Sequence, residues 1–442
     1  MPGSPPDPVD ATRRVPPPGA LLITFLTVFI DLLGFAIVLP VMPRQAGPYL
    51  AALGLSDDAS DAVIGLLFSS FSLMQFVFSP VWGRVSDRVG RRPVLLLSLA
   101  GSVVFYALYG LAVSLPPERA GWALSLMLLS RVGAGIAGAS VGTAAAVIAD
   151  CTTPANRARG MALIGIAFGA GFTLGPLVAY VGLRAFSARP WGVGVLASLL
   201  SAVALGLAVA VFRETRDPAN KAGKDFFSVE RSARVLALPA VGTLVLAYFT
   251  AIFAFANFES TLARLTDKAF GMGDDDNFLV FAAIGAVLVA AGGSYRPLAK
   301  RLPESRLLAT GIVLMVLGLA GVGGVAWLVY ARGGAGGDTA LRWAFYAASA
   351  LAVWGFAFVN PSVSALISRH ADPARQGEVL GVNQSFASLG RILGPLSGSL
   401  LFSLHASRVL PLLVAVAALV PLLGLVPRVE RADAAGRRSE GS

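Results

Sequence analysis

The sequence predicts an all-α membrane protein of twelve transmembrane helices arranged as two pseudo-symmetric six-helix bundles. Three observations carry that reading. The 442 residues are 56% hydrophobic and only 14% charged, a composition of the membrane class rather than of a water-soluble domain. Apolar runs of about 20 residues, enough to cross a bilayer as a helix, recur along the chain; at roughly 35 residues per crossing and loop there is room for about a dozen. A pattern in one half also returns in the other. Pro154-Ala155 precedes Gly171-x-x-Leu174-Gly175-Pro176-Leu177 by the interval at which Pro373-Ala374 precedes Gly390-x-x-Leu393-Gly394-Pro395-Leu396.

Residues 1–18 are rich in Pro and poor in apolar groups, and read as a disordered cytoplasmic tail. They are not a signal peptide, because the apolar run behind them is too long, carries Asp31 and lacks a small-residue cleavage site. Spans are expected at 20–43, 62–82, 93–115, 122–149, 160–183 and 191–212, an N-terminal bundle over 19–212. A polar cytoplasmic linker, 213–234, leads to spans at 235–262, 278–295, 307–330, 343–368, 379–404 and 409–426. These form a C-terminal bundle over 235–427, and 428–442 make a second cytoplasmic tail. A duplicated six-helix unit is how many secondary transporters are built, with the substrate site between the halves near the midplane.

The net charge of +10 raises the question of a nucleic-acid partner, and the distribution answers it. Most Lys and Arg fall in alternate loops and in the tails, as the positive-inside rule requires when both termini are cytoplasmic in a cell (inner) membrane. Anionic lipid headgroups of the bilayer are the expected counter-charge, and nucleic acid is not. The densest cluster is the turn Gly83-Arg-Val-Ser-Asp-Arg-Val-Gly-Arg-Arg92, where Arg84, Arg88, Arg91 and Arg92 pin the chain to the cytoplasmic side. Gly83 and Gly90 are expected to allow the reversal, and Asp87 lies one helical turn before Arg91. The one cysteine, Cys151, excludes an internal disulfide and falls in a cytoplasmic loop with no redox task. No phosphate-binding GxxxxGK[ST] is present, and His370 and His405 lack metal-ligand spacing. No enzyme, metal or cofactor is expected; the energy source would be a proton gradient.

Ionisable residues inside spans are costly and mark function by default. Asp31 is the only charge of the first span and sits near its middle. It reads either as a proton carrier, ionised when open to water and neutral when sealed, or as a structural carboxylate pinned by a hydroxyl. Arg131, alone in the fourth span, cannot itself carry a proton. It would hold a nearby carboxylate ionised, which makes Asp31 its natural partner, or else snorkel and pack. Glu259 is the lone acid of the seventh span, near its outer end by these boundaries, and is either a coupling group or a wet helix end. Gln75, Asn257, Trp354, Asn360 and Arg391 are candidate cavity residues, with helix-to-helix glue the competing role for the amides. Gly171 and Gly175 share a helix face suited to close approach, and Pro176 should bend the fifth span, as Pro395 should its repeat partner.

The chain resembles the major facilitator superfamily, and within it the twelve-helix drug–proton antiporters that include the tetracycline exporters. Gly83–Arg92 matches the family signature between helices 2 and 3. Arg131-Val-Gly-Ala-Gly135-Ile-Ala-Gly138 looks like the helix 4 motif associated with proton coupling, and Gly171-x3-Gly175-Pro176 like the helix 5 antiporter motif. Asp31-Leu-Leu-Gly34-x5-Pro40-Val-Met-Pro43 resembles the helix 1 pattern of the tetracycline exporters. The resemblance implies the major facilitator fold and a cytoplasmic gate. Asp87 would face the start of helix 11, and Arg91 would pair with Asp87 and Asp150, only while the cytoplasmic side is closed. Departures stand at Ala179-Tyr180, where the family has a glycine pair, at Phe105, where tetracycline exporters carry an acid, and in helices 8 and 9, which carry no charged residue. The fold inference survives these; tetracycline as substrate does not.

The expected function is therefore proton-coupled export of a lipophilic small molecule or drug by alternating access, in a chain acting as a monomer. The rivals are a uniporter or symporter for a metabolite such as a sugar or organic acid, and a transporter-like receptor or scaffold.

Overall fold

A computed structural model describes residues 19–440 apart from 39, 153, 188, 217–228, 334–338, 371–375 and 406–407. The predicted N-terminal tail and the middle of the linker lie outside the described residues, as do the side chains of the predicted C-terminal tail. Among the described residues every regular element is helical.

The first span ends earlier than expected. Helix α1 (Ala20–Val38) stops before Pro40, and α2 (Met42–Ala52) starts afresh with Pro43 in its first turn, because Pro lacks the N–H and disfavours helix at the residue before it. Helix α3 (Asp57–Val89) is capped by Ser56, whose hydroxyl accepts from Ala59 N–H at 3.3 Å, with Asp57 and Asp58 in its first turn and Arg88 in its last. Those charges complement the helix dipole. The helix runs straight through Gly83. Of the two glycines expected to turn the chain, only Gly90 does so, at φ +109°.

After α4 (Arg91–Ala112) the expected fourth span is one crossing made of two helices. These are α5 (Ala120–Ala137) and α6 (Val141–Cys151), joined by a 3-10 turn over Gly138–Ser140. Then come α7 (Pro154–Ala185), α8 (Trp191–Val211) and the short α9 (Val229–Leu236). The second half comprises α10 (Pro239–Phe270), α11 (Asp274–Ala299), α12 (Glu304–Ala331), α13 (Thr339–His370), α14 (Gln376–Phe402) and α15 (Leu410–Glu440). Nine helical stretches among the described residues are long and apolar enough to cross a membrane. Helices α7 and α14 and the Leu410–Leu425 part of α15 occupy the other three expected spans.

The internal repeat has a packing explanation. Helix α7 packs on α1 in the first half as α14 packs on α10 in the second. A Cβ on Gly175 would lie 2.6 Å from the Cβ of Ala36, and one on Gly394 would lie 2.7 Å from the Cβ of Ala256. Gly171 approaches Leu32 and Leu33 in the same way that Gly390 approaches Phe249 and Ile252. Helices in lipid associate through such close contact, since no hydrophobic force separates them from the acyl chains. The bundles meet along two seams, α3 against α14 and α7 against α11. Residues bridging these seams are Gly65 and Ser69 with Leu396, Ser399 and Ile392, then Thr173 with Gly285 and Tyr180 with Phe278. All belong to the part of each helix remote from the Gly83–Arg92 turn.

Candidate functional site

The break between α5 and α6 builds the surroundings of Asp31. A helix end leaves carbonyls without partners, and hydrocarbon supplies none. Here side chains capture them: Trp82 Nε1 donates to Ile136 O at 2.6 Å, Ser98 Oγ to Ala137 O at 2.9 Å and Gln75 Nε2 to Gly138 O at 2.8 Å. The turn then presents Ser140, whose Oγ donates to Asp31 Oδ2 at 2.8 Å, while Ser102 Oγ on α4 reaches Oδ1 at 3.4 Å. Asp31 is 0% exposed and faces neither lipid nor an opening. It is a carboxylate held by hydroxyls within the N-terminal bundle.

Arg131 on α5 is 2% exposed, and its guanidinium lies over the rings of Phe71 at 4.7 Å and Phe35 at 5.8 Å. Its Nε and Nη2 have no hydrogen-bond partner among the described residues. The expected Asp31–Arg131 ion pair is not made. Both carboxylate oxygens are engaged by serines, and Tyr106 of α4 interacts electrostatically with each charge.

Glu259 corrects a second expectation. Helix α10 continues to Phe270, about three turns beyond it, so the residue is not a wet helix end. It lines a cleft with Ala36, Pro176, Phe255, Phe281, Ile284, Gly285 and Leu288, contributed by α1, α7, α10 and α11 and hence by both bundles. Glu259 is the one ionisable group in that apolar lining, is half-buried, and makes no hydrogen bond or ion pair among the described residues. Phe255 is backed by a face-to-face stack on Phe356 at 3.9 Å. The tentative cavity residues are elsewhere. Gln75 serves the helix break, and Asn257 donates to Ser397 Oγ at 2.9 Å. Trp354 packs with Tyr295, Leu307 and Phe358, and Arg391 donates to Ser388 Oγ at 2.9 Å. Asn360 is exposed and accepts from Ser364. None of the five lines the cleft, because helix rotation, invisible in composition, turns them to other neighbours.

At the turn end, Arg91 pairs with Asp87 and, at 3.2 Å, with Asp150. Both partners belong to the same bundle, so these pairs do not depend on how the two bundles meet, which removes the reason to expect them in one state only. The described partner of Asp87 is Arg91; the first side chains of α14 lie outside the described residues. The linker adds a residue that sequence reading missed. Glu214 accepts from the N–H groups of Arg91 at 2.8 Å, Arg92 at 3.1 Å, Thr215 at 3.1 Å and Arg216 at 2.9 Å. Burial alone would raise its proton affinity, yet these four donors outweigh burial and hold the carboxyl below the usual glutamate range. A Cβ on Gly90 would lie 2.4 Å from Glu214 Oε2, so this glycine serves both the turn and the cap. Arg92 bonds the carbonyls of Phe212 and Val209, and Arg216 that of Arg88. Arg84 Nε donates to Pro80 O at 3.2 Å.

The opposite end holds pairs that do cross the bundles. Asp61 of α3 is bound by Arg264 of α10 and accepts from Ser403 Oγ at 2.6 Å, and Arg264 also donates to Ser399 Oγ at 3.2 Å. Its guanidinium lies 4.3 Å from the ring of Phe402. Arg44 pairs with Asp267 at 2.7 Å, and Asp57 with Arg408 at 3.7 Å. These charges sit at or beyond the expected span ends, where only proximity in space distinguishes them from ordinary loop charges.

Comparison with known proteins agrees with this architecture. The family model described as Major Facilitator Superfamily matches residues 24–395. The chain is 28% identical to Major facilitator superfamily domain-containing protein 10 of Bos taurus, over 91% of each chain. It is 29% identical to the class D tetracycline resistance protein of Salmonella ordonez, over 87% of this chain and 89% of that one. Among solved structures, that of the human organic anion transporter MFSD10 (TETRAN) superposes with a TM-score of 0.61 at 26% identity, covering 93% of this chain and all of the other. This multi-pass membrane protein belongs to the Major Facilitator Superfamily and is a transporter, not an enzyme.

Proposed function

We propose that the chain exports a lipophilic small molecule in exchange for protons by alternating access. The observation that carries this reading is Glu259, an unpaired carboxylate on an apolar cleft that both bundles line. In such surroundings a carboxylate is stable neutral, or ionised beside a cation, so proton and substrate have reason to alternate there. The positive-inside bias supports a cytoplasmic turn end, which makes the end latched by Asp61–Arg264 the outer one and this geometry inward-facing. Rocking the bundles would open the outer end and carry the cleft across. Asp31, sealed among hydroxyls in one bundle, is a second proton acceptor that does not touch the cleft.

The tetracycline resistance proteins among the relatives support a drug-like substrate. A second reading, transport of an organic anion, is favoured by the function named for the human structural neighbour. A susceptibility panel in a pump-deficient host selects the substrate. Everted vesicles then test coupling: substrate addition should dissipate a pH gradient, and Glu259→Gln or Asp31→Asn should abolish it. Unchanged rates in both variants would remove proton coupling through these acids.

A further inference from the structure

The N-terminal bundle contains a polar core that the cleft mechanism does not use. Along one face of α4 stand Ser98, Ser102, Tyr106 and Tyr109, at helical spacing. Ser98 serves the broken helix and Ser102 reaches Asp31. Tyr109 donates to Gln45 Oε1 at 2.6 Å, and Gln45 continues to Pro190 O at 3.1 Å. Between these satisfied ends lie three buried polar atoms that make no hydrogen bond of normal geometry among the described residues: the hydroxyl of Tyr106, which has Ser102 beside it, and the Nε and Nη2 of Arg131. Tyr106 is 3% exposed and Arg131 2%. The tyrosine hydroxyl rests directly on Gly34, where a Cβ would come within 1.6 Å of it. Gly34 therefore exists to admit that hydroxyl, which sits three residues along α1 from Asp31.

Buried groups left in this condition are ordinarily satisfied by internal water, which makes about three hydrogen bonds per molecule. Tyr106 offers an acceptor and a donor, Arg131 offers two donors, and Asp31 is the nearby acceptor. We propose that an internal water site, held by the Tyr106 hydroxyl and the Arg131 guanidinium, links Arg131 to Asp31, with Tyr106 as the positioning residue. Water is the occupant rather than a small anion, because the Asp31 carboxylate shares the site and repels one. The other ionisable groups nearby are few. Tyr109 lies beyond Arg131, α8 carries no charged residue, and the charged residues of α7 stand at its two ends. The link replaces the direct ion pair. It lets a guanidinium that cannot lose its proton set how readily Asp31 takes one up, while the two side chains stay apart. The hydration claim stands alone; its role in proton uptake rests on the proton-coupled reading above.

Two measurements on the full-length protein test it. X-ray hydroxyl-radical footprinting in oxygen-18 water labels buried side chains that touch bound water. Tyr106 should be labelled at least about tenfold faster than Phe68, which is 0% exposed in an apolar setting. Equal protection of the two residues overturns the proposal. So does labelling that changes when chloride is replaced by gluconate, which would identify an anion as the occupant. In vesicles, Tyr106→Phe keeps the ring but removes the hydroxyl, and should raise by about one unit the pH at which substrate-driven proton flux is half-maximal. An unshifted profile in a variant that transports normally overturns the positioning role. If the wild type shows no substrate-driven proton flux at all, the proposed function fails, and footprinting alone decides the water site.

Discussion

The two ends of this molecule spend their charges differently. At the turn end, Arg91, Asp87, Asp150, Arg92 and Glu214 join helices of the N-terminal half to one another and to the first linker residues. At the far end, Asp61–Arg264, Arg44–Asp267 and Asp57–Arg408 each join one half to the other. Pairs within a bundle stay made when bundles rock as rigid bodies; pairs between bundles have to break. In the proposed cycle the ion pairs at the turn end would therefore hold a rigid unit, and those at the far end would set the barrier to opening. Motif resemblance draws attention to the first cluster, whereas in the proposed rocking cycle the switching work would fall to the second.

The contrast can be broken at its strongest point. Asp61 and Arg264 have side chains only 11% exposed each. Removing one member of such a pair leaves an uncompensated buried charge, at a cost of about 3–5 kcal/mol to the latched state. Asp61→Asn should thus shift the protein toward the form in which that end is open. Reaction of cysteines engineered at that end, in a background lacking Cys151, would measure the shift. The reversal Asp61→Arg with Arg264→Asp should restore part of the latch. If Asp61→Asn and wild type react equally, the pair does not control that end.

Next in size are the glycines of the repeat. Gly175→Ala and Gly394→Ala both force a Cβ into a facing Cβ, and each should lower stability by about 1–3 kcal/mol. Matched losses of melting temperature in detergent would show that the halves pack by the same rule. The exposed pair Arg44–Asp267, with side chains 34% and 39% exposed, is a weaker latch. Arg44→Ala should cost under about 1 kcal/mol and show a salt dependence that the Asp61 variant lacks.

The smallest effect belongs to Glu214, which sharpens the picture of the turn end. Its carboxyl is held below the usual range by four N–H donors, so its contribution is complete above about pH 4.3, the ordinary glutamate value. It fades only as the pH falls through the depressed value. Trypsin cleavage at Arg216 should therefore stay slow from pH 8 down to about pH 5 in the wild type and be faster throughout in Glu214→Ala. Equal rates in the two proteins would detach the linker from this end.

Much of the fold was legible because lipid imposes one-dimensional rules: a span needs its length in apolar residues, and loops declare their side by Lys and Arg. The repeat around Gly175 and Gly394 was legible as well, since close helix contact demands a residue without a side chain at a fixed spacing. The break at Gly138–Ser140 was not. Its stability comes from Trp82, Ser98 and Gln75, which are remote in sequence and claim the freed carbonyls. Glu259 was misplaced for a related reason: where a helix ends relative to the membrane depends on its neighbours, and α10 extends past its apolar segment.

By itself, then, the amino-acid order determined that this chain crosses the membrane about a dozen times, that its halves are copies, and that Asp31, Arg131 and Glu259 are the intramembrane charges to explain. Tertiary structure alone decided which of them meet. Asp31, expected to pair with Arg131, is held by two serines instead, and Glu259, expected at the rim, faces the cleft between the bundles. The physical reason is that burial cost depends on a residue's own chemistry and is readable locally. Pairing depends instead on helix rotation and depth, which are settled only when every helix has packed.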